Sequence, residues 1–458
     1  MHPLSRRELL VRAGLGFGGL AFTAMSAQAV PKKPHIEPKA KSVIWCFMDG
    51  GPSHLDLFDP KPALTKLAGK PLPPSFRRPI TAMGNTANTP LLASQRTFKQ
   101  HGKSGLWVSD WYPEIAKVAD ELCVVRSCIA DGLTHVSSML QMNTCSLIPG
   151  RPCLGAWTMY GLGSECDNLP GFVVLADTMA DPPGGSTLWG NGFLPSSHQG
   201  TRFADGDQPL LYATPPNGIG ASRQRGKFDF INDLNRRYAT NRTETDRINA
   251  QINAYELAYR MQSSAPEIID FTKETPATKT MYGLDQTETA KNGRNCLLAR
   301  RLVERGVRFV QLYMGAGSVW DAHSNLEVNH SQLTKESDKP IAGLIRDLKQ
   351  RGLLDDTLVI WGGEFGRTSM SESGNGRDHN PYGFTMFFAG GGVKPGFVYG
   401  ATDEIGLYAI ENASHVRDIH ATILHLLGMN DKELTFLNNG REEYPTAIGG
   451  KVMEGMIA

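Results

Sequence analysis

Ser42-Val-Ile-Trp-Cys-Phe-Met-Asp49 is an almost unbroken apolar run that ends in an acidic residue. Such a run is typical of a parallel strand that is buried on both faces of a sheet. Similar runs occur at 307–314 and 357–361, and each follows a stretch with helical periodicity, at 289–305 and 331–351. Strands that alternate with helices indicate an α/β fold with a mainly parallel sheet.

Acidic residues and histidines follow these apolar runs, although they lie far apart in the sequence. In an open parallel sheet, ligands bind at the carboxyl ends of the strands, so residues that follow different strands can meet there. Several Asp, Glu and His side chains at that edge would form a metal site. The candidate ligands are Asp49, Asp321, His323, Glu364 and His379.

These candidates suggest two groups. Asp321 and His323 can deliver two ligands from one loop, and His379 would complete that site, while Asp49 and Glu364 hold a second metal or share the first. Two metals about 4 Å apart can clamp the attacking and leaving oxygens of a phosphoryl or sulfuryl ester. This ligand mixture suits zinc or manganese better than calcium. A lone Asp at a strand end is more often a cap or turn former, so the recurrence carries the argument.

The first 29 residues resemble a twin-arginine signal peptide. Ser5-Arg6-Arg7-Glu8-Leu9-Leu10 precedes an uncharged stretch at 13–24 and the small-x-small motif Ala27-Gln-Ala29. The alternative is an N-terminal membrane anchor, although the stretch is short and glycine-rich for a span. We therefore expect the twin-arginine export machinery as a partner, a periplasmic or otherwise extracytoplasmic location, and no membrane span in the mature chain.

The bulk properties indicate a soluble globular protein. The chain has 458 residues, 40% hydrophobic and 20% charged, with a formal net charge of +1. That balance predicts no nucleic-acid partner and gives no sign of a membrane-surface partner, because both need a clustered basic excess. Of the seven cysteines, none forms a C-x-x-C pair, and Cys46 is expected in the core.

The chain is expected to form one large domain at 41–458, after a Pro/Lys-rich linker at 30–40. A long insertion at about 177–290 would shape a substrate cleft. Within it, residues 226–264 are polar and helix-forming.

Five blocks of the sequence resemble the exported bacterial family catalogued as "domain of unknown function 1501", over roughly residues 40–450. The blocks are Cys46-Phe-Met-Asp49-Gly-Gly-Pro-Ser-His54-Leu-Asp56-Leu-Phe-Asp59-Pro-Lys-Pro, Gly150-Arg-Pro-Cys-Leu-Gly-Ala-Trp157, Trp320-Asp-Ala-His323-Ser-Asn, Gly363-Glu-Phe-Gly-Arg367-Thr and Gly376-Arg-Asp-His-Asn380. That family looks like a branch of the alkaline phosphatase and sulfatase superfamily. The resemblance implies a three-layer α/β/α sandwich with helical and loop insertions, and metal-assisted hydrolysis of phosphate or sulfate esters.

The resemblance also implies roles for individual residues. Asp49 matches the first metal-binding Asp of the superfamily, and Asp321 and His323 match the Asp and His that bind one metal. His379 matches a late metal-binding His. Glu364 stands where the superfamily usually has an Asp-His pair.

The catalytic assignments are less complete. By position Thr134 would be the nucleophile, but the Pro and Arg of the sulfatase nucleophile block are absent here, and Thr134 is also a plausible helix cap. Direct attack by an activated water, with His135 as ligand or base, is the other route, and His135 is equally plausible as a core residue. Arg367 either grips a substrate oxyanion or pairs with Glu364.

The sequence thus predicts an exported metal-dependent hydrolase of a small-molecule or polysaccharide ester. The alternative is a non-catalytic member of the fold that binds a glycan or a partner in the cell envelope, which the incomplete nucleophile block favours. A metal-dependent isomerase or transferase is a third interpretation.

Overall fold

The computed structural model describes residues 33–84, 86–176, 180–204, 209, 219–239, 245–315 and 317–458. The signal peptide expected at 1–29 lies outside the described residues, as do parts of the linker and of the insertion.

A nine-stranded sheet organises the chain, in the order β12-β4-β11-β8-β1-β7-β5-β6, with β15 also paired to β4. In chain order, the strands are β1 (Ser42–Phe47), β2 (Phe98–His101), β3 (Leu106–Ser109), β4 (Leu122–Ile129), β5 (Phe172–Ala176), β6 (Thr201–Ala204), β7 (Phe309–Tyr313), β8 (Thr357–Gly362), β9 (Gly366–Arg367), β10 (His379–Asn380), β11 (Phe384–Ala389), β12 (Phe397–Tyr399), β13 (Ala401–Thr402), β14 (Ala409–Glu411), β15 (Ser414–His415), β16 (Phe436–Asn438) and β17 (Arg441–Glu443). Among the described strands of this sheet, only β11 runs antiparallel to its neighbours. The mainly parallel α/β fold is therefore confirmed.

Helices cover both faces of the sheet. The α-helices are α1 (His54–Leu57), α2 (Pro62–Leu67), α3 (His135–Thr144), α4 (Leu154–Leu162), α5 (Ala221–Ala239), α6 (Thr245–Ile269), α7 (Pro276–Met281), α8 (Thr287–Val303), α9 (Leu326–Gln350) and α10 (Val416–Leu426). Short 3-10 helices lie at Thr86–Asn88, Ile115–Glu121, Gly185–Trp189, Ser196–His198, Phe271–Lys273 and Glu454–Met456. None of the described helices combines the length and the apolarity that a bilayer span requires.

The central strand β1 shows how the three layers arise. Successive side chains of a strand point to opposite faces, so Ile44 and Cys46 enter one core while Trp45 and Phe47 enter the other. The first core is closed by α8 and α9, and the second by α3, α4 and α10. Because both faces are covered, the strand must be apolar throughout, which explains its unbroken sequence.

One local prediction was wrong. The composition of residues 111–119 predicts a helix there, but the structure has a 3-10 helix at Ile115–Glu121, since Pro113 disfavours helical backbone at Tyr112. The helix-forming character predicted for 226–264 is confirmed where the structure describes these residues, which belong to two helices, α5 and α6. All seven cysteines are free thiols, and Cys46 is buried in the core as expected.

Candidate metal centre

The predicted ligands lie in loops that the sheet brings together at its carboxyl edge. Strands β7 and β8 flank β1, so the loops that follow these three strands are neighbours. Asp49 follows β1, Asp321 and His323 lie in the loop after β7, Glu364 follows β8, His379 opens β10, and His135 is the first residue of α3.

Two glycines allow these loops to pack closely. Gly50 has a φ of +113°, and a Cβ there would lie 2.6 Å from the backbone nitrogen of Asp321. A Cβ on Gly376 would lie 2.1 Å from the carbonyl carbon of His323. Since no side chain fits at either position, both glycines keep the ligand-bearing loops in contact.

Asp321 is the centre of a four-residue cluster. Its Oδ1 lies 3.0 Å from His323 Nε2 and 3.3 Å from His379 Nε2. Its Oδ2 lies 3.1 Å from His135 Nε2, close enough for an ion pair but outside hydrogen-bond geometry. One ligand atom from each of the four residues lies within 4.8 Å of all the others. Three imidazole nitrogens and a carboxylate oxygen at such separations suit a single metal ion.

The Nδ1 atoms of His379 and His323, on the opposite side of each ring from Asp321, contact hydrogen-bond acceptors. His379 Nδ1 donates to the carbonyl oxygen of Leu133 at 2.7 Å, and His323 Nδ1 contacts Oε2 of Glu372. A neutral imidazole that donates from Nδ1 carries its lone pair on Nε2. The two Nε2 atoms are 3.1 Å apart, so a proton or a cation must separate their lone pairs. Partners of this kind are those that orient metal-binding histidines.

The cluster also shifts the pKa values of its members. Burial lowers the pKa of His379, whereas the hydrogen bond to Asp321 raises the pKa of His323. For His135, burial lowers the pKa, but contacts with Asp321 and Glu364 outweigh it and raise the pKa to about 9. Burial would raise the pKa of Asp321, but its imidazole partners hold that pKa well below its usual range. Without metal, the cluster therefore pairs a fixed Asp321 carboxylate with a His135 ring that is protonated at neutral pH.

Asp49 and Glu364 are fully buried beside this cluster. Glu364 Oε1 lies 2.7 Å from His135 Nδ1 and accepts the Gly50 N–H at 3.1 Å. Asp49 Oδ2 accepts the Ser318 N–H at 3.0 Å, while its Oδ1 is buried without a hydrogen-bond partner among the described residues. Burial raises the pKa of Asp49 to about 7, and the charge of Glu364 adds to the shift. A buried, unpaired carboxylate oxygen is a group that a cation would stabilise.

Arg367 is fully buried and pairs with Asp321 rather than with Glu364. Its Nη2 lies 2.7 Å from Asp321 Oδ1. Its Nε donates to Gly51 O at 2.8 Å, and its Nη1 donates to Arg377 O at 3.1 Å. These contacts lock the Asp321 carboxylate in place, and a role for Arg367 in gripping a substrate stays a prediction.

Thr134 borders the cluster. It is the exposed N-cap of α3, and its Oγ1 lies 3.0 Å from Ser137 Oγ. The residues on either side, Leu133 and His135, both contact the cluster, through a carbonyl oxygen and an imidazole. The hydroxyl is therefore close to the site in the chain, and its role as nucleophile stays a prediction.

Sequence reasoning missed Glu372, which lies in the loop before His379 with no strand or motif to indicate it. His54 and Asp56, which the first motif contains, lie apart from the cluster. His54 Nε2 contacts Gly406 O at 2.8 Å, and Asp56 forms a buried ion pair with Arg377 at 2.9 Å. Both shape the loop after β1.

One comparison with known proteins agrees with the motifs. A family model described as "Protein of unknown function (DUF1501)" matches residues 40–457. The search of curated proteins found no match. The chain is similar to the solved structure of PsFucS1 sulfatase from Pseudoalteromonas sp., at 13% identity, covering 94% of this chain and 73% of that one, with a TM-score of 0.36. It is also similar to the lipoteichoic acid synthase LtaP from Listeria monocytogenes, at 9% identity, covering 90% and 78%, with a TM-score of 0.36.

Proposed function

We propose that this chain, which belongs to the DUF1501 family, is an exported metal-dependent hydrolase of phosphate or sulfate esters. One observation carries the proposal: three imidazole Nε2 atoms converge on the Asp321 carboxylate, and one ligand atom from each of the four residues lies within 4.8 Å of all the others. The orienting contacts of Glu372 and Leu133 support it, because they leave the Nε2 lone pairs of His323 and His379 directed at one point. The twin-arginine signal supports export to the periplasm.

Asp321, His323 and His379 would hold the ion, and His135 would serve as a further ligand or as a base. A bound divalent metal supplies Lewis-acid polarisation of the ester oxygen and lowers the pKa of water. The donor set, rich in imidazole, fits zinc or manganese. Asp49 and Glu364 would hold a second ion or share the first, because Asp49 Oδ1 has no other partner among the described residues.

The chain's own residues would manage the protons. His135 bridges two carboxylates, with Nδ1 2.7 Å from Glu364 and Nε2 3.1 Å from Asp321, so one nitrogen can exchange a proton while the contact at the other keeps the ring oriented. Arg367 holds the Asp321 carboxylate in its orientation. The exposed Thr134 hydroxyl is the candidate nucleophile if hydrolysis proceeds through a covalent intermediate.

Metal analysis and a substrate screen test the proposal together. We expect the purified protein to bind a divalent ion and to turn over aryl phosphate or aryl sulfate esters. Asp321→Ala should remove both properties, whereas Asp355→Ala, a change at an exposed acid outside the cluster, should preserve them. Absence of any divalent ion from the wild-type protein, together with no turnover on added metal, would contradict the proposal.

The burial of Arg367 favours a second candidate. The residue expected to grip an oxyanion is engaged by Asp321 and by backbone carbonyls, which suits a non-catalytic protein that binds a glycan or a cell-envelope partner. Metal binding without turnover of any ester would support that candidate. Thr134→Ala separates the catalytic routes, since loss of turnover indicates a covalent nucleophile and retention indicates direct attack by water.

A further inference from the structure

Helix α5 has an exposed face that neither the cores nor the metal centre uses. Phe230, Ile231, Leu234 and Tyr238 are large apolar residues on this helix, and they are 64%, 37%, 49% and 54% exposed. Single exposed apolar residues are ordinary, but a continuous group on one helix marks an interaction surface.

The opposite face of α5 packs against α6. Asn232 is fully buried and donates to Glu256 Oε1 of α6 at 2.7 Å. The ring of Phe228 lies 5.5 Å from that of Tyr259, also on α6. The exposed apolar residues therefore lie on the side of α5 that faces away from α6.

Cations are interleaved with these apolar residues. At about 100° per residue, Arg223, Lys227 and Arg237 fall within the same arc of roughly 120° as the four apolar side chains. All three cations are exposed. The helix carries five basic and two acidic residues, a net charge of +3, which the net charge of the whole chain, +1, conceals.

We propose that this face of α5 docks the protein on an anionic phospholipid surface. A helix that presents large apolar side chains between Lys and Arg residues suits the boundary between headgroups and acyl chains, where the cations reach phosphates and the apolar groups insert. A second copy of the chain is a poorer occupant, because pairing two such helices would bring two net charges of +3 together.

Vesicle partitioning of the full chain tests the proposal. We expect tighter binding to vesicles of phosphatidylcholine with phosphatidylglycerol than to vesicles of phosphatidylcholine alone. The double variant Phe230→Ser/Leu234→Ser should lower the partition coefficient about tenfold or more. Arg223→Gln/Lys227→Gln should lower it by a similar factor at low salt, and much less at high salt.

A matched control removes apolar side chains elsewhere that are more exposed than Phe230 and Leu234. Val328→Ser/Ile410→Ser changes residues that are 69% and 68% exposed, and it should leave the partition coefficient unchanged. The ratio of the partition coefficients of variant and wild type reports the effect of α5, because a contribution from another part of the chain multiplies both coefficients by the same factor. Equal binding to both vesicle types, or α5 variants that bind like the control, would overturn the proposal. So would a concentration-dependent dimer that Phe230→Ser/Leu234→Ser disrupts while vesicle binding persists.

Discussion

The variant His135→Gln should release one proton fewer than the wild-type protein when it binds metal. In the metal-free protein, His135 lies between Glu364 Oε1 at 2.7 Å and Asp321 Oδ2 at 3.1 Å, and its pKa is raised to about 9. The ring is therefore protonated at neutral pH. An ion bound by Asp321 must displace the proton on His135 Nε2, because both would occupy the same space between the ring and the carboxylate.

The pKa sets the size of the effect. At pH 7, competition from this proton weakens the apparent affinity of the wild-type protein for metal about 100-fold relative to the deprotonated ring, or about 2.7 kcal/mol. His135→Gln lacks this proton. For each pH unit below pH 9, the affinity of the wild type for metal should therefore fall by a factor about ten times larger than the factor by which the affinity of the variant falls. Protons that the other ligands release are common to both proteins and cancel from the difference.

Isothermal titration calorimetry at pH 7 in two buffers of different ionisation enthalpy counts the protons released when zinc or manganese binds. The variant should release one proton fewer than the wild type. His425→Gln is the matched control, because this half-buried histidine lies on α10 outside the cluster, and it should release as many protons as the wild type. Equal proton release from His135→Gln and the wild type would refute the placement of His135 against the metal.

Three further substitutions test other parts of the site. Glu372→Gln should weaken metal binding about 10-fold to 100-fold in calorimetric titrations, since it removes the carboxylate that orients His323; unchanged affinity would exclude that role. Asp56→Asn should lower the free energy of unfolding in urea by about 3–5 kcal/mol, because it leaves the Arg377 guanidinium buried without its counter-charge; a loss below 1 kcal/mol would contradict this. The carboxyl of Asp49 has a folded pKa of about 7, above its unfolded value, so its cost grows as pH rises from about 4 and reaches about 4 kcal/mol above pH 7. Asp49→Asn should therefore raise the free energy of unfolding of the metal-free protein in urea at pH 8, by about 1–3 kcal/mol once the cost of an unpaired amide is subtracted. A variant that is less stable than the wild type at pH 8 would show that ionising the buried Asp49 carboxyl costs little.

The strands that could be predicted from the sequence are those whose burial requires apolar residues. Strands β1, β7 and β8 are covered on both faces, so their unbroken apolar runs were visible, and the residues after them had to share one edge. Strands β12 and β15 lack such runs because they are short and lie against β4 alone, so their pairing depends on tertiary contacts. They could not be predicted from local composition.

The candidate site was predictable for similar reasons. Asp321, His323 and His379 were grouped from sheet geometry alone, and the structure brings them together. The ion pair between Arg367 and Asp321 depends on how the loops after β1 and β7 pack together, so no local sequence pattern predicts it. Glu372 is likewise recognisable only once the loop that carries it packs against His323.

The proton on His135 helps to explain how the buried carboxylates of the cluster stay stable without a bound ion. His135 and His323 have raised pKa values because each faces two carboxylates, namely Asp321 together with either Glu364 or Glu372. At neutral pH the His135 imidazolium supplies one positive charge, so exchanging its proton for a divalent ion changes the net charge of the cluster by one unit rather than two. Asp321 and Glu364 then have a counter-charge between them in either state, which limits the change in the cost of burying them. Such a cluster would release a bound ion on acidification as protons return to its imidazoles, without requiring the surrounding sheet edge to unfold.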